Sequence, residues 1–312
     1  MILVTGATGF VGRALLPRLV EGGFEVRCLL RPSPHSPRLP KGIPLHVSLA
    51  ALDDARGLRA ALVGVETVIH LAGAEWHGQR GDVFAVDAAG TRTLVETAKD
   101  AGVERLIYLS HLGADRASGY DVLKAKGIAE EFIRQSGLAY TIVRSAMLYG
   151  SEDVFTNVIA ALLRLGPGVF FMPGDGRITL QPLWVEDLVT CLEWSLSDLT
   201  AFNQTIALGG PEFLTFGQMV QTVMEVLGVH RLVIPTRPPF LRAGAWLLEQ
   251  VLPRSPLTTR WLDYLAISRT CELTSVTRYF GLKPARFVPS TLDYLRDKRW
   301  LGEMTRLIWG TH

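Results

Sequence analysis

Apolar residues in the first half of the chain follow two alternating rhythms. Short, nearly continuous apolar runs at Ile2–Thr5, Glu25–Leu30, Leu45–Ser48, Thr67–Leu71, Arg105–Ser110 and Tyr140–Arg144 read as strands. Between them, Val11–Glu21, Gly57–Val63, Asp82–Ala101 and Asp121–Gln135 carry apolar residues at helical spacing. Strands that are apolar on both faces and separated by helices predict an α/β architecture, a doubly wound parallel sheet covered on both sides. After Gly150 the rhythm changes. Gly166-Pro-Gly168 and Pro173-Gly-Asp-Gly176 punctuate a loop-rich stretch, Leu183–Leu196 reads as one more helix, and the remainder is mainly helical. A nucleotide-type domain is therefore expected over residues 1–150, with 183–197 packing back onto it. A smaller, mainly helical C-terminal lobe is expected over 151–182 and 198–312.

The first strand runs directly into Gly6-Ala-Thr8-Gly9-Phe10-Val11-Gly12, which opens the first helix. Glycines at this junction permit a tight turn and let backbone N–H groups approach a pyrophosphate at a helix N-terminus. The GxxGxxG spacing is weak by itself, but here it sits between a strand and a helix inside a βαβ pattern. It predicts dinucleotide binding on a Rossmann-type sheet. The second strand ends Cys28-Leu29-Leu30-Arg31 without a carboxylate. An acid there would accept from the ribose hydroxyls of NAD, whereas an arginine suits the 2′-phosphate of NADP. Arg31 thus favours NADP(H) over NAD(H), unless it only solvates the strand end.

Composition narrows the class. The chain has 312 residues, 48% of them hydrophobic and 20% charged, enough apolar residues for a sizeable core and too many for global disorder. Lys+Arg 32 against Asp+Glu 30 gives a net charge of +2, so no global electrostatic argument favours nucleic acid, and no nucleic-acid partner is expected. No apolar run reaches the roughly 18 residues needed to span a bilayer. Cys28, Cys191 and Cys271 are far apart, with no CxxC spacing, and the seven histidines form no HxH or HxxxH pair. That pattern fits a reducing cytoplasm and gives no reason to invoke a metal. A mean hydropathy of +0.23 leaves open that some surface is apolar, so a cytoplasmic protein peripheral to a membrane is also compatible.

The glycine loop, His70-Leu71-Ala72-Gly73, Gly90-Thr91, Tyr108-Leu-Ser110 and Tyr140-Thr-Ile-Val-Arg144 together resemble the extended short-chain dehydrogenase/reductase superfamily. Gln181-Pro-Leu-Trp-Val-Glu-Asp187-Leu, Pro238–Pro253 and Phe280-Gly281 are closer to its atypical, epimerase/dehydratase-like branch, which includes the 39 kDa accessory subunit of respiratory complex I. The resemblance covers nearly the whole chain. It implies that the cofactor crosses the switch point of the sheet, lined by His70–Gly73 and Ser110.

Active members that resemble this fold use a Ser/Thr, a Tyr, and a Lys four residues after the Tyr. An ammonium beside a phenol favours the phenolate, which makes the Tyr usable as acid or base near neutrality. Tyr120 and Lys124 have this spacing. The family register points elsewhere: counting back 18 residues from Arg144 lands on Lys126, and Glu130 then matches the family's Glu. In that register the Tyr position is Val122 and the hydroxyl position is Leu112, which leaves two of three roles vacant. Tyr120 and Lys124 then belong to an ordinary helix start, and Lys126 binds the nicotinamide ribose or is a solvated lysine. His111 is a further candidate acid. Asp87 stands where the family usually has Asn and would cap a helix or contact the cofactor. The family's acidic adenine contact falls on Ala51, with Asp53 and Asp54 just beyond.

Plotted at 100° per residue, Phe240, Leu241, Gly244, Ala245, Leu247, Leu248, Val251 and Leu252 fall within an arc of about 160°. Arg242, Trp246, Glu249 and Gln250 fall outside it. From Gly228 to Thr270 six arginines (231, 237, 242, 254, 260, 269) face only Glu249 and Asp263, a local charge of +4. This helix is expected either to pack between two layers or to present a basic, apolar surface to a lipid headgroup, a quinone-like molecule or another subunit. Two functions stay open. One is an NADP(H)-dependent oxidoreductase or epimerase-type enzyme acting on an apolar or sugar-like small molecule. The other is a non-catalytic, NADP(H)-bearing accessory, assembly or sensor protein.

Overall fold

The computed structural model describes residues 1–34, 39–75, 81–252, 255 and 257–309. The chain divides into two compact units. The first comprises Met1–Ala74, Asp82–Ser145 and Val185–Leu208; the second comprises Glu75–Gly81, Ala146–Trp184 and Gly209–His312.

In the first unit the strands are β1 (Ile2–Thr5), β2 (Val26–Leu30), β3 (His46–Leu49), β4 (Thr67–His70), β5 (Arg105–His111), β6 (Ala139–Ser145) and β11 (Gln204–Leu208). Its helices are α1 (Phe10–Glu21), α2 (Ala55–Ala61), α3 (Gly90–Asp100), α4 (Asp121–Gln135) and α6 (Val185–Trp194). All seven strands run parallel in the order β11-β6-β5-β4-β1-β2-β3. The order reverses between β1 and β4, which places a crevice at the C-terminal ends of those two strands. Burial of the whole of β1 follows from its apolar composition, and β5 is buried at every position but Leu109. Leu3, Leu58, Val68, Leu94, Leu106 and Ile133 form part of the core on one face.

The helix expected over Gly57–Val63 lies two residues earlier, at Ala55–Ala61, and two other helices start later than the sequence predicts. The helix expected over Asp82–Ala101 opens with a π-helical turn at Phe84–Ala89, and α3 begins only at Gly90. Gly90 N–H bonds to Ala85 O, five residues back, and this wider turn carries Asp87. The helix expected over Leu183–Leu196 starts at Val185, because Leu183–Trp184 pairs as a short strand. Arg18 of α1 donates to Glu193 of α6 at 3.1 Å.

The second unit contains β7 (Leu148–Tyr149), α5 (Val154–Leu165), β8 (Val169–Pro173), β9 (Thr179–Leu180), β10 (Leu183–Trp184), β12 (Leu214–Thr215) and α7 (Phe216–Leu227). It continues with β13 (Leu232–Thr236), α8 (Pro238–Val251), α9 (Thr259–Tyr264), α10 (Ser275–Phe280) and α11 (Trp300–Trp309). Three two-stranded ribbons, β10-β7, β12-β9 and β13-β8, replace a large sheet. Its core centres on Phe155, Phe216 and Trp261, with the Phe155 and Trp261 rings stacked at 5.2 Å.

The 160° apolar arc on α8 requires correction. Only its edge faces the core: Ala245 is buried and Leu241 half-buried, whereas Phe240, Leu247, Leu248 and Val251 are exposed. Glu249, expected on the polar side, is buried, and its Oε2 accepts from Thr259 Oγ1 at 3.1 Å. Hydropathy alone misplaced the face because a polar partner in α9 draws Glu249 inward. Arg254, part of the basic segment, lies outside the described residues.

Candidate functional site

The site grows out of the switch point in the first unit. Gly6 leaves β1 with φ +70°, a conformation that L side chains rarely adopt. A Cβ at Gly6 would lie 2.6 Å from Leu71 C and 2.7 Å from Ala72 N, so the turn after β1 presses directly on the backbone leaving β4. A Cβ at Gly12 would lie 2.4 Å from Gly6 O. These close approaches explain why glycines stand at both ends of the loop. Gly9 is the N-cap of α1, with no side-chain cap and no acid in the first turn. Thr8 and Gly9 are exposed, while Phe10 and Val11 are half-buried. The helix start therefore keeps its positive end and open N–H groups toward the crevice, a cradle suited to a pyrophosphate.

Beneath the loop, a buried relay joins four elements. Thr91 Oγ1 donates to Asp87 O at 2.6 Å, so it accepts from His70 Nε2 at 2.8 Å. That leaves His70 Nδ1 to accept from Thr5 Oγ1 at 2.6 Å, and Thr5 Oγ1 accepts in turn from Ala72 N–H at 3.3 Å. Full burial pushes the imidazole down to about 3, with the Lys126 charge acting in the same direction. His70 is therefore a neutral strut that fixes the Leu71-Ala72-Gly73 backbone, and not an acid.

Two polar side chains on α4 reach two residues of β5. Lys126 and Glu130 are four apart on the helix, about 6 Å of rise, and Tyr108 and Ser110 are two apart on the strand, about 6.6 Å. The ladders match. Ser110 Oγ donates to Glu130 Oε1 at 2.7 Å, and Arg144 of β6 donates to the same carboxylate at 2.8 and 2.6 Å. Arg134 adds a third partner at 2.6 Å. Ser110 and Glu130 are fully buried, so the Ser110 hydroxyl is occupied in an interlock between β5, α4 and β6.

Lys126 Nζ lies 3.0 Å from Asp87 Oδ1, with both side chains almost completely buried. It also donates to Leu109 O at 3.3 Å and stands 5.0 Å from the centre of the Tyr108 ring. Asp87 Oδ2 accepts from Ala74 N–H at 2.9 Å. A Cβ on the exposed Gly73 would lie 3.0 Å from Asp87 Oδ1 and 3.5 Å from Lys126 Nζ. The ion pair thus sits immediately under Gly73, at the edge of the crevice. Tyr108 stacks on His70 at 5.3 Å, and burial raises its phenol far above neutrality despite the opposing Lys126 charge. It cannot stand in for a catalytic phenol near neutral pH.

The remaining sequence candidates are distributed around this cluster. Tyr120 is half-buried and caps α4 from outside, its carbonyl accepting from Lys124 N–H at 2.9 Å. Lys124 is exposed, about 200° around the helix from Lys126. The structure groups Lys126 with Asp87 and leaves Lys124 outside that pair. Leu112 is buried, and Val122 is half-buried against Ala74, Val83, Ala88 and Ala125. His111 ends β5 and is buried. Arg31 follows β2 directly and is exposed. Asp53 is exposed, and Asp54 caps α2 by accepting from Gly57 N–H at 2.9 Å. Sequence reasoning missed the Thr5–His70–Thr91 relay and the Lys126–Asp87 pair. Both join residues distant in the chain, and only the Asp at position 87 hinted at a charged partner.

Comparison with known proteins agrees with this geometry. A family profile described as NAD(P)H-binding matches residues 6–162. NADH dehydrogenase [ubiquinone] 1 alpha subcomplex subunit 9 from rat mitochondria is 29% identical over 263 residues, covering 82% of this chain and 69% of that protein. Sterol demethylase protein B of Methylococcus capsulatus is 30% identical over 291 residues, covering 85% of this chain and 86% of that protein. Among solved structures, an NADPH-dependent quinone oxidoreductase from Escherichia coli superposes with a TM-score of 0.72 at 19% identity, covering 94% of this chain and 98% of that one, and so shares the fold.

Proposed function

The chain belongs to the NAD(P)H-binding, atypical short-chain dehydrogenase/reductase family, and on that premise we propose that it is an NADP(H)-dependent oxidoreductase acting on an apolar small molecule. The observation that carries the reading is the uncapped start of α1, led by the Gly6 turn that packs on Leu71 and Ala72, with the Lys126–Asp87 pair beneath Gly73. Gly6, Thr8, Gly9, Phe10, Val11 and Gly12 hold the pyrophosphate. Arg31 faces the adenosine ribose and supplies the preference for a 2′-phosphate. Leu71, Ala72 and Gly73 line the crevice, and Lys126, oriented by Asp87, binds the nicotinamide ribose. Ser110 acts through Glu130, shaping the β5–α4 wall. When bound, the nicotinamide supplies a hydride donor or acceptor.

The proton in such a reaction comes from outside the family positions, since Leu112 and Val122 are apolar. Tyr120, at the mouth of α4, is the phenol available for that role, with Lys124 as its helical neighbour. The apolar substrate class draws support from the relative named for sterol demethylation. Three free cysteines suit a reducing, cytoplasmic setting, and among the described residues no helix is long and apolar enough to cross a membrane. Segment 228–270 supplies the contact to a membrane surface or a protein subunit.

A second reading, a non-catalytic NADP(H)-bearing accessory protein, is favoured by one specific feature. Asp87 neutralises Lys126, so the ammonium at the family's lysine position is already paired with a carboxylate. The relative named as a subunit of the NADH dehydrogenase [ubiquinone] 1 alpha subcomplex supports that reading. NADPH turnover across quinones, ketones and sterol-like alcohols distinguishes the two. Turnover that Tyr120→Phe lowers at least about tenfold supports the enzyme. Tight NADPH binding without turnover supports the accessory protein, and absence of binding overturns both.

A further inference from the structure

In the second unit, the outward side of α8 is almost free of polar groups. With Leu241, Ala245 and Glu249 turned inward, the remaining arc carries Trp246, Ala243, Leu247, Phe240, Val251, Gly244 and Leu248, and Gln250 is its lone uncharged polar residue. Phe240 is 70% exposed, Trp246 50%, Leu247 57% and Val251 72%. Helices on a water-facing surface normally reserve this side for charge.

The ribbon that leads into α8 repeats the pattern. Phe171 of β8 pairs with Ile234 of β13, and both are exposed, while their neighbours Phe170 and Met172 are buried. Leu232 is exposed two residues before Ile234, on the same side of the strand. Arg237 alone separates β13 from α8, and it is exposed.

Charge on this stretch has one sign. Between Gly228 and Leu252 the ionisable residues other than His230 are Arg231, Arg237, Arg242 and Glu249. Glu249 is buried, so the solvent side shows only arginine. Arg242 borders the apolar arc and pairs with Asp263 of α9, and Arg231 donates to Leu163 O at 2.7 Å. A helix of 14 residues, about 21 Å long, cannot cross a bilayer but can lie in its plane.

We propose that the outward face of α8, together with the exposed side of the β8–β13 ribbon, docks onto the surface of an anionic lipid bilayer. Phe240, Leu247 and Val251 enter the acyl boundary, Trp246 sits at the headgroup level, and Arg237 meets lipid phosphates. The pairing of an apolar stripe with arginine is the chemistry an anionic interface recognises. This contact is independent of the dinucleotide site, whose residues lie in the other unit.

Flotation of the full-length chain with vesicles of phosphatidylcholine, with and without phosphatidylglycerol, tests the proposal. Wild type is expected to float with the anionic vesicles and to be released by salt. The double variant Leu247→Asp/Val251→Asp is expected to lose binding by at least about tenfold, and Arg237→Glu to lose most of the preference for anionic lipid. All four residues or their neighbours are exposed, so an unchanged melting temperature and NADPH affinity verify that the variants are folded. Trp246 emission should shift to shorter wavelength on binding, as the difference between wild type and Trp246→Phe. Failure of wild type to float, or flotation unchanged in the double variant, overturns the proposal. So does a wild-type dimer that the double variant converts to monomer, which would assign the face to a second copy of the chain. NADPH affinity measured on the same samples keeps this outcome separate from the cofactor reading.

Discussion

Removing one charge from the Lys126–Asp87 pair strands the other in the interior. Both side chains are almost completely buried, and the ammonium and carboxylate lie 3.0 Å apart. Breaking such a pair costs about 3–5 kcal/mol, because the surviving ion loses its partner without regaining water. Asp87→Asn keeps an oxygen for Ala74 N–H but removes the charge, and Lys126→Met keeps the length of the chain. Each should destabilise the first unit by that amount. At about 2–4 °C per kcal/mol for a unit of this size, the melting temperature falls by roughly 6–20 °C. The double variant has no stranded charge and should be less destabilised than the sum of the two singles. A coupling of about 1–3 kcal/mol is expected from calorimetry of the four proteins. If the two effects add within about 0.5 kcal/mol, the pair is not coupled, and the assignment of Asp87 as the residue that orients Lys126 is wrong.

The His70 imidazole is held down to about 3 in the folded chain, against about 6.5 when unfolded. The folded state thus binds fewer protons between those values, and the contribution of His70 to stability is full above pH 6.5 and is lost as pH falls toward 3. Thermal melts should show the stability gap between wild type and His70→Gln shrinking from pH 7 to pH 4; parallel curves would refute the neutral-strut role. Glu130→Gln weakens the bonds to Arg134 and Arg144 at a fully buried position and should cost about 3–5 kcal/mol in chemical denaturation, while Glu131→Gln, at a half-buried position whose side chain accepts from the exposed Gln135, changes little. Gly6→Ala introduces a Cβ 2.6 Å from Leu71 C at φ +70°, so NADPH affinity measured by fluorescence titration should fall at least about tenfold, and wild-type affinity would show that the turn is not the cradle.

Much of the first unit was legible in sequence because its strands are apolar on both faces and are punctuated by glycines. All six expected strands end within one residue of the observed ones, β4 stopping at His70 and β6 at Ser145. The glycine loop was legible for the same local reason: its residues are neighbours in the chain. Contacts between distant residues were not. Lys126 meets Asp87 through a π-helical turn that no periodicity reveals, and the pairing of Ser110 with Glu130 needs the relative rise of helix and strand. On α8 the apolar arc was legible but its direction was not, since hydropathy cannot say that Thr259 draws Glu249 inward. The two-stranded ribbons of the second unit escaped because four of their strands, β7, β9, β10 and β12, are only two residues long, and β8 lies in loop-rich sequence.

The central claim is that the open start of α1 binds a dinucleotide and that Arg31 selects the phosphorylated one. Isothermal titration of the purified chain with NADPH and NADH, repeated on Arg31→Asp, tests it most directly. The account predicts one NADPH per chain, NADH weaker by about tenfold or more, and loss of that difference in the variant. Equal affinities in wild type would remove the role given to Arg31, and no heat from either dinucleotide on folded protein would contradict the claim itself.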